Sequence, residues 1–166
     1  MRTVEGVAAV DDVDAFLDRL GEVGADHDCA VQAFDARYVA GRDHLEAAVE
    51  HANRAFERGE NVARDRSVEI LLYAAGRRQI NQALEMGVGE GEHRVVVVVD
   101  GEAGDEDAAA TAVADCLTPA ETLGPDGVDR DRVREFFAVT DAELAATDAD
   151  LSDLVRERVA LLDVEK

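Results

Sequence analysis

Lysine is almost missing from this chain of 166 residues: the only one is Lys166. Basic residues number 17 and acidic ones 38, which gives a formal net charge of −21. Because 47% of the residues are hydrophobic and the acids are spread along the chain, a disordered acidic tail is excluded. Repulsion among the acids is screened in concentrated salt, where the Debye length is about 3 Å at 1 M. The excess of acids therefore predicts a protein adapted to high salt. The other interpretation is an acidic surface for a basic partner.

Cysteines, long apolar runs and targeting signals are also scarce. The two cysteines, Cys29 and Cys116, lie far apart without the spacing of metal ligands, which favours reduced thiols in a cytosolic protein. No apolar run approaches the ~20 residues that a membrane helix needs. The N-terminal "MRTVEGVAAVDD" lacks the apolar core of a signal peptide. We therefore expect a cytoplasmic protein without a membrane partner.

The hydrophobic pattern predicts three strands, at residues 2–10, 29–34 and 93–101. The third contains five consecutive valines, which is typical of a central strand buried on both faces. Helices are predicted from Asp11 or Asp12 to Leu20, where Gly21 and Gly24 end the pattern, and at residues 42–58, 105–117, 129–139, 141–146 and 151–162. Both prolines fall in a predicted loop at residues 118–129. The fold class is therefore mixed α/β (α+β), one domain over residues 1–166 with a small central sheet, surrounding helices and a helical C-terminal part.

Motifs for catalysis or cofactor binding are weak. "GVGEGE" at residues 87–92 has glycines but precedes a strand, whereas a dinucleotide-binding loop follows one. "DHDC" at residues 26–29 has no second set of metal ligands at a recognisable spacing. The acidic loop with Asp100 and residues 105–107 leaves open a small enzyme that uses a divalent cation. The composition and motifs favour a protein without catalytic residues, cofactor or metal.

The local charge is more informative than the total. Residues 35–80 contain eight acids and eight arginines, so this segment is neutral and the rest of the chain carries the whole net charge. A face that approaches a phosphate backbone is therefore expected here. The alternative is that these arginines pair with acids on helix surfaces. The arginines are Arg37, Arg42, Arg54, Arg58, Arg64, Arg66, Arg77 and Arg78.

Two of these arginines are adjacent in "SVEILLYAAGRRQINQALEMG", residues 67–87. The pattern predicts two short helices joined at Gly76, with Arg77 and Arg78 in the first turn of the second. The helix dipole disfavours a cation there by about 0.3–1 kcal/mol. Together with the free N–H groups of that turn, the two arginines would form a corner that binds an anion.

The same stretch resembles the KEOPS-complex subunit family that includes the human PRPK-binding protein, in a haloarchaeal form. The matching motif is an apolar helix with Glu69-Ile70-Leu71, a short link with a glycine, and an arginine-rich start to the next helix, here Gly76-Arg77-Arg78-Gln79-Ile80. The upstream "GRDHLEAAVEHA" also resembles the family's helix, with Arg42 and His44 at its start. The resemblance follows the order of elements along the chain and is sharp over residues 42–99.

The resemblance implies a protein that is not an enzyme. Members bind the small atypical kinase/ATPase subunit of KEOPS and, in archaea, the single-stranded 3′ CCA end of tRNA rather than DNA. The complex installs threonylcarbamoyl on the adenosine beside the anticodon. An alternative is a structural partner that regulates the kinase allosterically without touching RNA. The expected tRNA-binding residues are Gly76, Arg77, Arg78, Gln79 and Ile80, with Arg42 and His44 as a second wall.

Each residue of the motif suits a single-stranded RNA end. The two arginines supply hydrogen-bond donors and flat guanidinium faces on which bases stack. Gln79 can bond a base edge or a ribose, and Gly76 lets the two backbones come close. Ile80 is expected as an apolar contact or as part of the core. The sequence does not choose the face that docks the kinase.

Overall fold

The computed structural model describes residues 1–124 and 127–165. In these residues the strands are β1 (Arg2–Val10), β2 (Ala30–Asp35), β3 (Gly91–Asp100) and β4 (Thr118–Pro119). The helices are α1 (Val13–His27), α2 (Arg42–Arg58), α3 (Arg66–Ala75), α4 (Ile80–Ala83), α5 (Glu106–Ala114), α6 (Arg130–Phe136), α7 (Asp141–Ala146) and α8 (Leu151–Glu165). Short 3₁₀ helices follow β2 at Ala36–Tyr38 and α4 at Leu84–Met86. The predicted mixed α/β class is confirmed.

The valine-rich strand β3 lies in the interior of an antiparallel sheet with the order β2-β3-β1-β4. Val97 is opposite Val4 on one side and Ala33 on the other. The side chains of the five valines are completely buried. The prediction of a central strand with two covered faces is therefore confirmed, and the reason is that helices pack on both faces of this sheet.

Alternate residues of β3 belong to two different cores because successive side chains of a strand point to opposite faces. Val96 and Val98 pack with the helical layer that contains α2, α3, α6 and α8. Val95, Val97 and Val99 pack with residues of α1 and α5. The molecule thus has three layers, and the thicker helical layer holds α3 with the motif described above.

Helix α1 is longer than predicted, because it continues through both glycines to His27. Its start is as expected: the Asp12 carboxylate accepts the N–H of Ala15 at 3.1 Å. Gly24 is needed for close packing, since a Cβ atom there would lie 2.7 Å from the carbonyl oxygen of Cys29. The glycine was thus a packing residue, not a helix stop.

The predicted loop at residues 118–129 contains a short strand, β4, that pairs with β1. Pro119 lies at this edge of the sheet, opposite Gly6, where a missing N–H is tolerated. Pro125, the other proline assigned to the loop, lies outside the described residues. No helix among residues 1–124 and 127–165 has the length and apolar character to cross a bilayer.

Candidate functional site

The motif residues lie where α3 ends and α4 begins. The N–H of Gly76 donates to the Tyr73 carbonyl at 3.0 Å, and the N–H of Arg77 donates to the Leu72 carbonyl at 3.1 Å. This pair of bonds is a Schellman motif, whose C′ residue takes the left-handed conformation. Gly76 has φ 61°, which a glycine adopts without the steric cost of a Cβ atom. The glycine therefore ends α3 and turns the chain sharply toward the surface.

The two arginines lie in this link and not in the first turn of α4. The prediction that they open the second helix is wrong, because α4 begins only at Ile80 and has four residues. The N–H of Arg77 is used in ending α3, so it is not available to an anion. The expected dipole cost and the expected corner of free N–H groups therefore do not apply. What remains is the pair of guanidinium groups.

Arg77 is held rigidly by groups that are not acids. Its guanidinium carbon lies 4.5 Å from the centre of the Phe136 ring. One Nη atom donates to the Phe136 carbonyl at 2.6 Å, and the other lies 3.4 Å from the Ala75 carbonyl. A cation over an aromatic face is stabilised by the ring quadrupole, and the carbonyl bonds fix its plane. Arg77 is thus a flat cation prepared in advance of any ligand.

Arg78 has the opposite environment. Its side chain is exposed, and among the described residues it has no hydrogen bond or ion pair. Gln79, which follows, is also exposed, and among the described residues its side chain accepts one hydrogen bond, from the Gln82 amide at 3.4 Å. Arg58, Arg64 and Arg130 are likewise exposed and without a hydrogen bond or ion pair among the described residues, so Arg78 is distinguished by its place beside Arg77 and the exposed Gln79.

A pocket of about 530 Å³ opens beside Arg77, between α4 and α6. A second arginine, Arg132, reaches it from α6, with its guanidinium carbon 5.5 Å from the centre of the Tyr38 ring. The Tyr38 and Phe136 rings contact each other edge to face at 5.4 Å. Two cations and two aromatic rings are therefore joined in one cluster. The pocket is lined by Tyr38, Arg77, Asn81, Gln82, Glu85, Arg132, Glu135 and Phe136.

Sequence reasoning missed the members of this cluster outside the motif. Tyr38, Arg132 and Phe136 are distant from Arg77 along the chain, and nothing in their local patterns indicates that they meet it. The one available signal was "RDRVREFF" at residues 130–137, where three arginines at every second position precede two phenylalanines. This pattern predicts only a helix, at residues 129–139.

Helix α4 separates two different surfaces. Asn81 and Gln82 face the polar pocket, whereas Ile80 and Leu84 line an apolar groove on the other side. Ile80 remains 46% exposed, so of the two roles expected for it, the structure favours an apolar surface residue. The five motif residues are thus adjacent in the chain, but they do not all face one cavity.

Arg42 and His44 lie at the same end of the α2–α3 pair as the link. Arg42 begins α2, and its guanidinium bonds Glu46 Oε1 at 2.9 Å and Thr3 Oγ1 at 2.8 Å. It is exposed, but an acid already neutralises it. An anion must therefore compete with Glu46 for this arginine.

His44 is completely buried, so a ligand at the link lies outside its reach. Its Nδ1 accepts the N–H of Ala40 at 3.1 Å, which requires the tautomer whose Nε2–H donates to the Ala74 carbonyl at 2.7 Å. Burial lowers the pKa of His44 to about 4, against a smaller opposing effect of the Ala74 hydrogen bond. The neutral ring joins the start of α2 to the end of α3 and so supports the link from beneath.

Glu69, the charged residue of the apolar motif, is completely buried. Its carboxylate accepts the backbone N–H groups of Val62 and Ala63 at 3.1 Å. A buried carboxylate is stable only with such partners. Glu69 therefore holds the segment that connects α2 to α3, and the motif's acid is explained as a structural residue.

The acidic loop after β3 does not offer Asp100 as a free ligand. Arg66 donates to Asp100 Oδ2 at 2.5 Å and Asn53 donates to it at 3.1 Å. Burial alone would raise the pKa of Asp100, but these hydrogen bonds and the Arg66 charge hold it below its usual value. Within residues 1–124 and 127–165, no group of three or more His, Cys, Asp or Glu side chains is arranged to hold a metal ion.

The family comparison places the chain in a class of kinase-binding proteins. The chain belongs to the family described as kinase binding protein CGI-121, whose model matches residues 8–163. This match confirms the family that residues 69–80 predicted. A comparison with curated proteins found no match.

Proposed function

We propose that this chain is a non-catalytic subunit of the KEOPS complex for threonylcarbamoyladenosine modification of tRNA. It binds the kinase/ATPase subunit of the complex and recruits tRNA through the 3′ CCA end. The kinase part rests on the family, whose description is a kinase-binding protein. The tRNA part rests on the link at residues 76–79. The observation that carries it is the exposed Arg78, which has no partner among the described residues, next to the rigidly held Arg77.

The two arginines take different roles in this proposal. Arg78 contacts a phosphate, because it is an exposed cation without an acidic partner among the described residues, and it lies in the segment of the chain that carries no net charge. Arg77 offers the outer face of its guanidinium, with Phe136 packed against the inner face, so that a base extends the stack. Gln79 bonds a base edge or a ribose hydroxyl. Gly76 keeps the backbone of the link close to the ligand.

The pocket beside Arg77 suits a base better than a phosphate. Its volume of about 530 Å³ falls in the range of small-ligand pockets, about 300–1,000 Å³. Asn81 and Gln82 present amides that can donate to and accept from a base edge. Glu85 and Glu135 repel a phosphate from the interior of the pocket. A base therefore lies inside the pocket, where the amides bond it. Its phosphate lies outside the pocket, beside Arg78 and away from the two glutamates.

The supporting residues act less directly. Ile80 adds apolar contact on the outer side of α4. Arg42 is a weaker phosphate contact than Arg78 because Glu46 already pairs with it. His44 positions the end of α3 and so the link, without touching RNA.

The proposal is tested by titrating tRNA into the wild-type chain and into Arg78→Ala over a series of salt concentrations. Arg64→Ala is the matched control, because Arg64 is also exposed and precedes α3, at the opposite end of that helix. Loss of one phosphate contact to a single strand lowers the slope of log K against log salt by about 0.7. We expect that change for Arg78→Ala and none for Arg64→Ala. Equal slopes for the two variants would contradict the RNA contact.

A pull-down with the cognate kinase and tRNA in high salt separates the two halves of the proposal. We expect Arg78→Ala to retain the kinase and to lose tRNA. If the variant keeps both partners and modification of tRNA by the complex is unchanged, the chain regulates the kinase without contacting RNA.

A further inference from the structure

Strand β2 has a partner on one side only. It is the end strand of the sheet, and within the described residues its backbone pairs with β3 alone. In an antiparallel strand, alternate residues direct their N–H and C=O groups away from the partner. Such an edge accepts an additional strand unless charges, a bulge or a covering element block it.

An apolar groove lies along this edge, between α1 and the α3–α4 segment. We call it the β2 groove. It consists of a space of about 620 Å³ that is continuous with one of about 490 Å³, because Leu20, Gly21, Val31, Asp65 and Ser67 line both. The floor is formed by β2 itself, and the walls of the larger space are formed mainly by Leu17, Leu20, Val68, Leu71, Ile80 and Leu84.

Exposed apolar side chains are concentrated in the walls of the groove. Leu17, Ile80 and Leu84 are 40%, 46% and 54% exposed. These three are half of the large hydrophobic residues that are exposed among the described residues. Contiguous apolar surface of this kind marks an interaction site more often than isolated residues do.

Gly21 keeps the groove open. It lies inside α1, where a glycine weakens the helix, and a Cβ atom added there would meet nothing within 4 Å. Gly24, by contrast, is required by the close approach of Cys29. Since packing within the chain does not require Gly21, the space above it is available to another molecule.

The charges around the groove select the occupant. Asp14, Asp28 and Asp65 lie along it, and no described residue pairs with their carboxylates. The only basic residue in the lining, Arg66, is bound to Asp100 at 2.5 Å. A phosphate backbone is repelled here, and a second copy of this chain would bring the same acids together. A basic polypeptide fits.

We propose that the β2 groove binds an extended segment of a partner protein, which adds to the sheet beside β2. The segment has apolar side chains at alternate positions, which enter the groove, and basic residues at its ends, which meet Asp14, Asp28 and Asp65. Backbone hydrogen bonds supply the affinity and the alternate pockets supply the specificity. This inference does not depend on the tRNA proposal, because Arg77 and Arg78 do not line the groove.

The test uses a fluorescent, end-capped peptide, Lys-Val-Thr-Val-Thr-Val-Lys, titrated into the full chain and followed by anisotropy. Two comparison peptides carry proline in place of the central valine or glutamates in place of the lysines. We expect the lysine peptide to saturate below about 1 mM and both comparison peptides to bind at least about tenfold more weakly. In amide NMR spectra, the signals of residues 30–33 shift with the lysine peptide.

Gly21→Met fills the groove and Gly21→Ala is its matched control, since both remove the helix glycine but only the first has a long side chain. Both variants are expected to keep or raise the melting temperature. We expect Gly21→Met to weaken peptide binding by about tenfold and Gly21→Ala to weaken it by less than about twofold.

Several results would overturn the proposal. No saturation by the lysine peptide, equal binding of the proline peptide, or unchanged binding to Gly21→Met would each exclude strand addition at this groove. A CCA oligonucleotide that shifts the amides of residues 30–33 would assign the groove to RNA instead. A dimer in light scattering that Gly21→Met dissociates would assign it to a second copy of the chain.

Discussion

Arg77 and Arg78 are neighbours in the chain with opposite surroundings. Arg77 is fixed over the Phe136 ring and bound to backbone carbonyls, whereas Arg78 is exposed and unpaired among the described residues. Neither holds an acid of its own protein there, so the idea that such arginines merely pair on the helix surface does not apply to them. Each can therefore be tested by a substitution that keeps the charge.

Arg77→Lys is predicted to weaken RNA binding more than Arg78→Lys does. Lysine retains the charge but has no flat face on which a base can stack. It also lacks the two Nη groups that bond the carbonyls of Ala75 and Phe136. The same change lowers the free energy of unfolding by about 1 kcal/mol, because the contact with Phe136 is lost. Urea unfolding and RNA titration of both variants measure these effects. If the two lysine variants bind RNA equally well, Arg77 is no stacking platform.

His44 predicts a particular dependence of stability on pH. Its pKa in the folded chain is about 4, below the ordinary 6.5, so between these values the unfolded chain binds more protons. The contribution of His44 is complete above pH 6.5 and is lost as the pH falls, by about 2 kcal/mol between pH 7 and pH 5. His44→Gln does not titrate, so the difference between the two unfolding free energies should shrink by that amount. A constant difference would contradict the buried, neutral ring.

At the scale of elements, the two glycines of α1 predict effects of opposite sign. Gly21→Ala should raise the free energy of unfolding by about 1 kcal/mol, because alanine is the better helix former and its Cβ meets open space. Gly24→Ala should lower it, because the new Cβ would lie 2.7 Å from the Cys29 carbonyl oxygen and the backbone must move. Chemical denaturation of the two variants checks the signs. Stabilisation of both would mean that α1 does not pack so closely on Cys29.

Regular periodicity made several elements predictable from the sequence. Helix α2 was predicted at residues 42–58, as found, because its apolar face repeats without interruption and Gly59 ends it. The run of five valines predicted strand β3 and its position in the interior of the sheet. The errors came where tertiary contacts override local preference. Packing on Cys29 keeps Gly24 inside α1, and the turn at Gly76 takes Arg77 into the end of α3.

The candidate site was predicted only in the part that is continuous in sequence. The motif predicted two helices joined at Gly76, as found, but it wrongly put Arg77 and Arg78 in the second helix. It did not reveal the pocket, since Tyr38 and Arg132 reach it from elements far away in the chain. It also gave no warning that His44 is buried, since one histidine on an amphipathic helix fits either face. Contacts between residues so far apart depend on how the helices pack, and the local pattern of a single sequence does not predict that packing.

For the whole molecule, the net charge of −21 predicts that folding and RNA binding respond to salt in opposite directions. Salt screens the repulsion among the acids, so the free energy of unfolding should rise between about 0.1 M and 2 M KCl. RNA affinity should fall over the same range, because counterions compete for the phosphates. Thermal unfolding and RNA titration in the same buffers measure both, with sucrose as an uncharged control. Stability that does not change with KCl would contradict adaptation to salt.

The three layers keep the surfaces of the molecule separate. The arginine link and its pocket lie in the thick helical layer, and the β2 groove lies on the other side of α4. The proposed RNA end and the proposed protein segment therefore do not compete for the same residues, apart from contacts with the exposed Ile80. This arrangement suits a subunit that joins RNA to a protein complex.

The most direct test of tRNA recruitment compares the affinity of the chain for intact tRNA with its affinity for the same tRNA without the 3′ CCA, at one salt concentration. Stacking of each base contributes about 1–3 kcal/mol, so we predict at least about tenfold tighter binding of intact tRNA. Arg78→Glu should remove this difference, and Arg64→Glu should leave it unchanged. Equal affinity of the wild-type chain for the two tRNAs would contradict recruitment through the CCA end.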